Sequence, residues 1–413
     1  MVTDWQAAGS GAPVETDVAR ERTERSRTML TFLRERESLW DRLARTDRPL
    51  VLYGTGDGAD KILARLARIG RTVDAVYVSD DHARGQVYAG LAVRPLSELL
   101  DRAEKGAFDG LVAPLVLVAF ASERPEVLAR IRMVAAAYET VAPHVPLFAE
   151  DTALDADWLA AHEAELQYVY DHLADDWSRR VFADMLDYKL SGRLSYLWDA
   201  ETERSGDLRL LFSFGPGETY ADLGAYDGDT VREFQTLCGG KYQAVYAFEP
   251  DPKNYAKLAA WAASYGAAHP DAGPVHCVHA AAGAAPGTAV FRAGGGRQSS
   301  LLDTGAGRTG GRHRRPKEAE LPVESVDHVL GPQRLDYAKL DVEGVEAAAL
   351  RGMAAHLVPD GAGRLPKLLV AAYHHDEDLF CLPLLLWELQ PAYRIYLRKH
   401  PYVPAWEINL FAK

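Results

Sequence analysis

Long apolar runs are missing from this sequence of 413 residues. No stretch of about 18 or more apolar residues occurs, so no membrane-spanning helix is expected. Cysteine is scarce. Cys238, Cys277 and Cys381 stand far apart with no metal-ligand spacing, and they read as reduced packing residues of a cytoplasmic protein. Basic residues are in deficit, 46 Lys and Arg against 59 Asp and Glu, and the net charge of −13 argues against nucleic acid as the main partner. The opening Met1-Val2-Thr3-Asp4-Trp5 lacks the basic-then-apolar layout of a signal peptide. What is present is ordinary for a globular chain, with 48% hydrophobic and 25% charged residues. The length exceeds one ordinary core, so two domains are expected.

Four segments follow from the pattern. Residues 1–47 read as an N-terminal helical segment: Met29-Leu30, Phe32-Leu33, Leu39-Trp40 and Leu43 recur at helical spacing between about Val14 and Thr46, after a small, polar, frayed Ala7–Pro13. Residues 48–150 alternate strands with helices. Pro49–Tyr53, Val73–Val78, Leu111–Phe120 and Val145–Phe148 read as strands, with helices over Ile62–Ile69 and Arg124–Tyr138, which implies a parallel sheet in a small Rossmann-like domain. Its turn Gly54-Thr55-Gly56 suits a nicotinamide cofactor, with Asp80 or Asp81 on the ribose, or simply close packing of strand and helix. Asp57 and Asp60, standing where phosphates would lie, speak against the first. Substrate recognition or dimerisation is the other role open to this domain. Residues 151–206 keep helical spacing and read as a connector, with Arg193, Tyr196 and Trp198 either at the substrate entrance or packed as an aromatic stripe.

The chemistry concentrates in residues 207–413. Glu218 to Leu223 reads as a buried strand that turns on Gly224-Ala225-Tyr226-Asp227-Gly228 and enters a helix near Asp229-Thr230. A glycine turn at a helix N-terminus brings backbone N–H groups to a ligand. Asp222, Asp227 and Asp229 would repel a pyrophosphate but suit a cation, so S-adenosylmethionine, with its sulfonium and ammonium, is expected there. A second strand, Ala244–Phe248, ends in Glu249-Pro250-Asp251. Glu249 lies about 25 residues past Gly224, the spacing that puts a carboxylate on ribose hydroxyls, or else it caps the helix after it. A third strand, Val275–His279, ends in Ala280-Ala281-Ala282-Gly283, small enough for an adenine ring to lie flat or for close packing.

A Gly- and Arg-rich tract from Gly294 to Lys317 reads as a solvated loop, or as a lid over an anionic substrate. Asp336 to Leu340 is a strand ending in Asp341-Val342-Glu343, on the side of an open sheet where chemistry sits, with helix capping as the plainer role of these acids. Leu365–Ala372 ends in Tyr373-His374-His375, tandem histidines placed for proton transfer or metal binding. Arg394–Leu397 and Glu407–Phe411 close the sheet as an antiparallel pair, with Arg398, Lys399 and His400 near a substrate rim.

Together, Asp222–Thr230, Phe248–Asp251, Lys339-Leu340-Asp341-Val342-Glu343-Gly344-Val345-Glu346 and Tyr373–His375 resemble the FkbM family of S-adenosylmethionine-dependent methyltransferases. The resemblance covers about Glu218 to Lys413 and extends more weakly to members with an appended Rossmann-like N-terminal domain. It implies an α/β fold: a C-terminal class I, seven-stranded methyltransferase domain whose final strand is antiparallel, joined by the helical segment to the smaller N-terminal domain. It implies O-methylation of a hydroxyl on a sugar, polyketide or related natural product, with a small-molecule or glycosylated substrate. The cofactor-binding set expected is Asp222, Gly224, Tyr226, Asp227, Asp229, Thr230, Glu249, Pro250, Ala281 and Asp341. An alcohol must lose its proton to become a good nucleophile, so His374 or His375 is expected as the base beside Asp341. Alternatively Mg²⁺ on Asp341, Glu343 and His374 lowers the hydroxyl pKa. Carboxyl or nitrogen methylation, a nicotinamide oxidoreductase, an inactive scaffold and a homodimer stay open.

Overall fold

The computed structural model describes residues 30–104, 112–148, 151, 154–293, 300–302 and 317–413. The expected helical start before Leu30, the frayed Ala7–Pro13 and the basic tract Arg308–Arg315 lie outside them.

Two sheets organise the chain. The first contains β1 (Leu50–Tyr53), β2 (Ala75–Val78), β3 (Val87–Tyr88), β4 (Leu91–Pro95), β5 (Leu115–Val118) and β6 (Thr140–Val141) in the order β3-β4-β2-β1-β5-β6. It is parallel except for the β3–β4 hairpin. β1 and β5 are apolar and buried at every position, as strands covered on both faces must be. A Cβ on Gly54 would lie 2.4 Å from the Phe120 ring, so close packing accounts for this glycine. The aspartates expected on a ribose are engaged locally: Asp80 accepts the Ser97 N–H at 3.0 Å and Asp81 pairs with Arg130 at 3.7 Å.

The second sheet is built from β7 (Thr219–Leu223), β8 (Ala244–Phe248), β9 (Val275–Val278), β14 (Tyr337–Leu340), β15 (Lys367–Ala371), β16 (Ile395–Lys399) and β17 (Ile408–Ala412). Its order is β16-β17-β15-β14-β7-β8-β9, with only β17 antiparallel to its neighbours. Between β9 and β14 the chain forms a four-stranded sheet from β10 (Ala281–Ala282), β11 (Gly287–Ala293), β12 (Ser300–Leu302) and β13 (Lys317–Glu324). The sequence pattern predicts only a loop across part of this stretch.

Helices Ala156–Ala161, Glu163–His172, Asp176–Ser191 and Leu194–Ala200 form the connector. The longest is capped by Asp175, which accepts the Ser178 N–H at 2.7 Å, and it ends on left-handed Gly192. One apolar cluster runs from Tyr53 and Val116 of the first sheet through Phe182 and Leu186 of this helix to Leu340 and Leu397 of the second.

Three expectations are corrected. The helix expected to reach Thr46 is confined, among the described residues, to Leu39–Arg45. Before it, the Arg34 and Glu35 N–H groups donate to Asp187 at 3.0 and 2.9 Å instead of to a helical ladder. Val145–Phe148 is not a strand, because its Pro146 and Leu147 carbonyls accept from Lys61 Nζ at 3.1 and 2.8 Å. Arg398, Lys399 and His400 do not line a rim; they are buried against the connector and its flank, paired with Asp175, Glu201 and Asp207 at 2.7, 3.2 and 3.2 Å. Tyr196 likewise packs inward, its hydroxyl on Glu35 at 2.6 Å.

The connector and the two sheets share one buried polar knot. Asp376, just past β15, takes Lys189 Nζ at 2.6 Å and His144 Nε2 at 2.7 Å on a single oxygen. Removing one partner of a buried ion pair strands the other, at a cost of about 3–5 kcal/mol. Lys189→Met is therefore expected to lower the urea midpoint sharply, and Lys189→Met/Asp376→Leu to recover much of the loss. Equal midpoints for wild type and Lys189→Met would contradict this.

Candidate active site

The carboxyl ends of β7, β8, β14 and β15 meet at one edge of the second sheet. Strand register fixes which side chains meet. Lys339 pairs with Asp222, and the chain then releases Gly224 beside Asp341. The contact is tight: a Cβ on Gly224 would stand 2.0 Å from the Asp341 carbonyl oxygen, and Gly224 has φ +84°. Only glycine permits both the turn and the approach. On its other side the turn is tied to β8, where Phe248 O accepts the Gly224 and Ala225 N–H groups at 3.1 and 2.9 Å.

Beneath the turn lies Lys339, a buried ammonium that donates to Gly224 O at 2.9 Å and stands 3.7 Å from both Asp222 and Asp341. Burial works against its charge, but Asp341 and Asp222 more than reverse the effect and raise it. Burial pushes Asp222 up. Its Oδ2 accepts from Thr230 Oγ1 at 2.5 Å, and its Oδ1 has no hydrogen-bond partner. Asp222 therefore supports the turn from below instead of reaching a ligand. Asp227 is drawn aside by Arg232 at 2.8 Å, so the acid set of the turn presents less negative charge than its sequence suggested. Asp229 opens the next helix, is exposed, and accepts the Thr230 N–H at 2.9 Å.

Glu249 is 6% exposed and accepts the Tyr226 N–H on one oxygen and the Asp251 N–H on the other, at 2.9 and 2.8 Å. Asp251, not Glu249, caps the helix that starts at Pro252. Burial raises Glu249 to about 7 in spite of these two donors. Pro250 links the two acids, and Ala281 is buried on β10 just beyond β9, whose Val278 carbonyl accepts the Glu249 N–H at 3.0 Å.

After β14, Asp341 is a third exposed; burial favours its neutral form, but Lys339 and His374 outweigh that and hold it below the usual carboxylate range. Neither Asp341 nor Glu343 caps the following helix, which begins at Glu346. Glu343 instead adopts φ +57°. Among the described residues four non-glycine residues take this left-handed backbone, and three of them, Tyr226, Glu343 and Glu407, stand at this edge. Strain of that kind gathers at functional sites.

The tandem histidines are held differently from expectation. His374 is 3% exposed, with Nδ1 3.0 Å from Glu346 in an ion pair too bent for a hydrogen bond, and Nε2 3.6 and 3.7 Å from Asp341 and Glu343. Burial alone would lower it, but Glu346, Asp341 and Glu343 carry it to about 10. His375 bonds Asp151 at 3.0 Å and the Gly344 carbonyl at 3.3 Å, and its ring stacks on Phe148 with centroids 4.7 Å apart. The Asp151 bond raises it to about 9 against the effect of burial. These neighbours favour the imidazolium form of both rings at neutral pH, which speaks against either as the base. Asp341 and His374 do come together with a third possible ligand, all within 4.8 Å, but that residue is Glu346 and not Glu343. This set does not fit Mg²⁺, which takes oxygen donors, and the charged His374 already supplies the cation among these acids.

The sequence pattern includes Lys339, Glu346 and Tyr373 within motifs but assigns them no role, and it does not single out Phe148 or Asp151. A lone lysine in the strand Tyr337-Ala338-Lys339-Leu340, buried at every position, was the available signal for the first. Tyr373 donates to Asp341 at 3.1 Å. Phe148 and Asp151 carried no local signal.

Residues 222–375 match the model of the methyltransferase FkbM domain. The fold is similar to that of an FkbM methyltransferase from Methylobacillus flagellatus KT, with TM-score 0.65 at 19% identity over 97% of this chain and 98% of that one. At that identity the likeness speaks to fold alone. An rRNA methylase from Streptococcus thermophilus aligns with TM-score 0.29 at 11% identity, over 51% of this chain and 92% of that chain. Precorrin-6y C5,15-methyltransferase from Geobacter metallireducens GS-15 gives 0.30 at 10%, over 52% and 92%; neither carries weight here. None of the curated proteins matches the sequence. No helix among the described residues is long and apolar enough to cross a membrane.

The histidine assignments are directly measurable. Both groups are raised above the unfolded value near 6.5, so the stability they contribute is fully present below it and is lost as pH rises through about 9 for His375 and about 10 for His374. Nitrogen-15 NMR of the ring nitrogens at pH 8 is expected to show both rings doubly protonated. Asp151→Asn is expected to bring the His375 midpoint down from about 9 toward 6.5. Neutral rings at pH 8 in the wild type would contradict the assignment.

Proposed function

We propose that this chain, whose residues 222–375 carry an FkbM methyltransferase domain, moves the methyl group of S-adenosylmethionine to a hydroxyl of a sugar, polyketide or related small molecule. The observation that carries the reading is the junction of three strand ends: the Gly224 turn closes directly on Asp341 and is tied through Tyr226 N–H to Glu249. The carboxylate acceptors gathered at that edge support an adenosyl ligand there. Glu249 keeps lone pairs for two ribose hydroxyls while its backbone bonds fix its orientation. Asp229, exposed at a helix start, and the ionised Asp341 are the carboxylates open to the methionine ammonium. Asp222 and Thr230 hold the turn itself.

When bound, S-adenosylmethionine supplies a methyl carbon made electrophilic by the sulfonium. A hydroxyl acceptor would need a base at this edge to take its proton as its oxygen accepts the methyl group. The residue we assign to this task is Glu343. Burial raises it to about 7, close to the value at which a general base works best at neutral pH. Its side chain is 43% exposed beside His374, and its strained backbone holds it at the edge. His374 and Tyr373 then serve as positioning residues, fixing Asp341 and Glu343 by charge and by hydrogen bond.

Two outcomes are expected. S-adenosylhomocysteine affinity, followed by calorimetry, should weaken as pH falls through about 7, where Glu249 gains its proton and can no longer accept from both hydroxyls. Glu249→Ala should weaken it by about tenfold or more, as loss of a charge-assisted hydrogen bond does. In turn, Glu343→Gln should leave that affinity unchanged and lower kcat with a hydroxyl acceptor by about 10²–10⁴-fold. A flat pH profile for binding, or full turnover by Glu343→Gln, would overturn the corresponding assignment.

A further inference from the structure

A cavity of about 820 Å³ opens between helix Asp57–Arg68 of the N-terminal unit and helix Ala156–Ala161 of the connector. Its size is that of a small-molecule site, and junctions between units are where such sites form. Its inner end reaches the active-site edge. Phe148 lines the cavity and stacks on His375, and the Gly344 Cα lies so near that an added Cβ would stand 3.0 Å from the Phe148 ring. Gly344 is the next residue after Glu343.

The polar groups around the cavity are mostly committed. Lys61 spends its ammonium on the carbonyls of Pro146 and Leu147, which builds the wall before Phe148. Asp151 holds His375, and Asp155 accepts the Trp158 N–H at 2.9 Å as a helix cap. Two cations remain. Arg65 rests one face of its guanidinium on Trp40, 4.8 Å from the ring centroid, and makes no hydrogen bond or ion pair with the described residues; nor does Arg68, one turn further along the same helix. Arg65 is half-buried, and burial pulls it below its ordinary range, with the charge of Asp155 offsetting only part of the loss of water. A half-buried fork of N–H donors without an acceptor, facing an open cavity, suits a planar or tetrahedral anion.

We propose that this cleft binds the anionic part of the methyl acceptor, a carboxylate or phosphate on a saccharide-sized molecule, with Arg65 as its main contact and Arg68 at the rim. This rests on the methyltransferase reading and narrows its substrate to acidic acceptors. The anion sits at the helix of the N-terminal unit while the rest of the molecule runs past Phe148 toward Glu343. The N-terminal unit thereby becomes the specificity element of the enzyme.

The test is calorimetry on the full chain with glucose 1-phosphate, glucuronate and uncharged methyl glucoside, alongside S-adenosylhomocysteine. We expect glucose 1-phosphate or glucuronate to bind, methyl glucoside not to bind, and Arg65→Gln to weaken the anionic probe by about tenfold or more with S-adenosylhomocysteine affinity unchanged. Which probe binds separates phosphate from carboxylate. Should Arg65→Gln lose its fold through its Trp40 contact, Arg68→Gln and weakening of wild-type binding by added salt report on the same charge. Absence of binding by both anionic probes, equal binding of methyl glucoside, or an unchanged affinity in the Gln variants would overturn the proposal. Binding of glucose 1-phosphate without any binding of S-adenosylhomocysteine would instead sink the donor assignment and leave the anion site standing.

Discussion

A single buried ammonium holds the active edge together. Two adjacent parallel strands bring Asp222 and Asp341 to the same edge, and a cation 3.7 Å from each offsets the repulsion between two carboxyl groups. Lys339 is that cation, and its remaining bond goes to the Gly224 carbonyl. The turn, the acid and the strand end are thus fixed by one side chain. Everything above it inherits this geometry: the close approach of Gly224 to Asp341, the placement of Tyr226 N–H on Glu249, and the exposed flank of Asp341 that faces His374 and Tyr373. A lysine here is costly to bury, and the two carboxylates beside it offset that cost.

The loop after β15 shows why the chain needs more than its methyltransferase domain. Its four consecutive residues are each anchored by a different element. Tyr373 and His374 are held from within the second sheet's own unit, by Asp341 and Glu346. His375 and Asp376 are held from outside it, by Phe148 and Asp151 and by His144 and Lys189. The N-terminal unit therefore acts as a wall of the site. The carboxylates around the two histidines favour their charged forms, while burial raises Glu343 beside them toward neutral pH, as it does Glu249 across the edge.

The strands of the second unit were legible as short apolar runs, two of which, β8 and β14, run straight into an acid, Glu249 and Asp341. Gly224, Glu249 and Asp341 were legible as local patterns, each a strand end with a characteristic side chain, and the structure brings all three to one edge. The roles of the acids were less legible. Asp222 and Asp227 look identical as letters, yet one is buried under Lys339 and the other is paired with Arg232. Protonation of His374 and His375 depends on Glu346 and Asp151, partners 28 and 224 positions away, and no local pattern carries that. The four-stranded sheet was hidden because Gly and Arg dominate the segment between its strands. The early segment misled for a related reason: Leu30 and Leu33 are buried at helical spacing, but Asp187 takes the backbone N–H groups a helix would have used.

The central claim is that this strand-end edge is an adenosyl site, and a crystal structure of the chain with S-adenosylhomocysteine tests it most directly. The account predicts ribose hydroxyls on the Glu249 carboxylate and the sulfur beside the Gly224 turn, facing Glu343. Density for the ligand at the Gly54 turn, or elsewhere with Glu249 untouched, would contradict it.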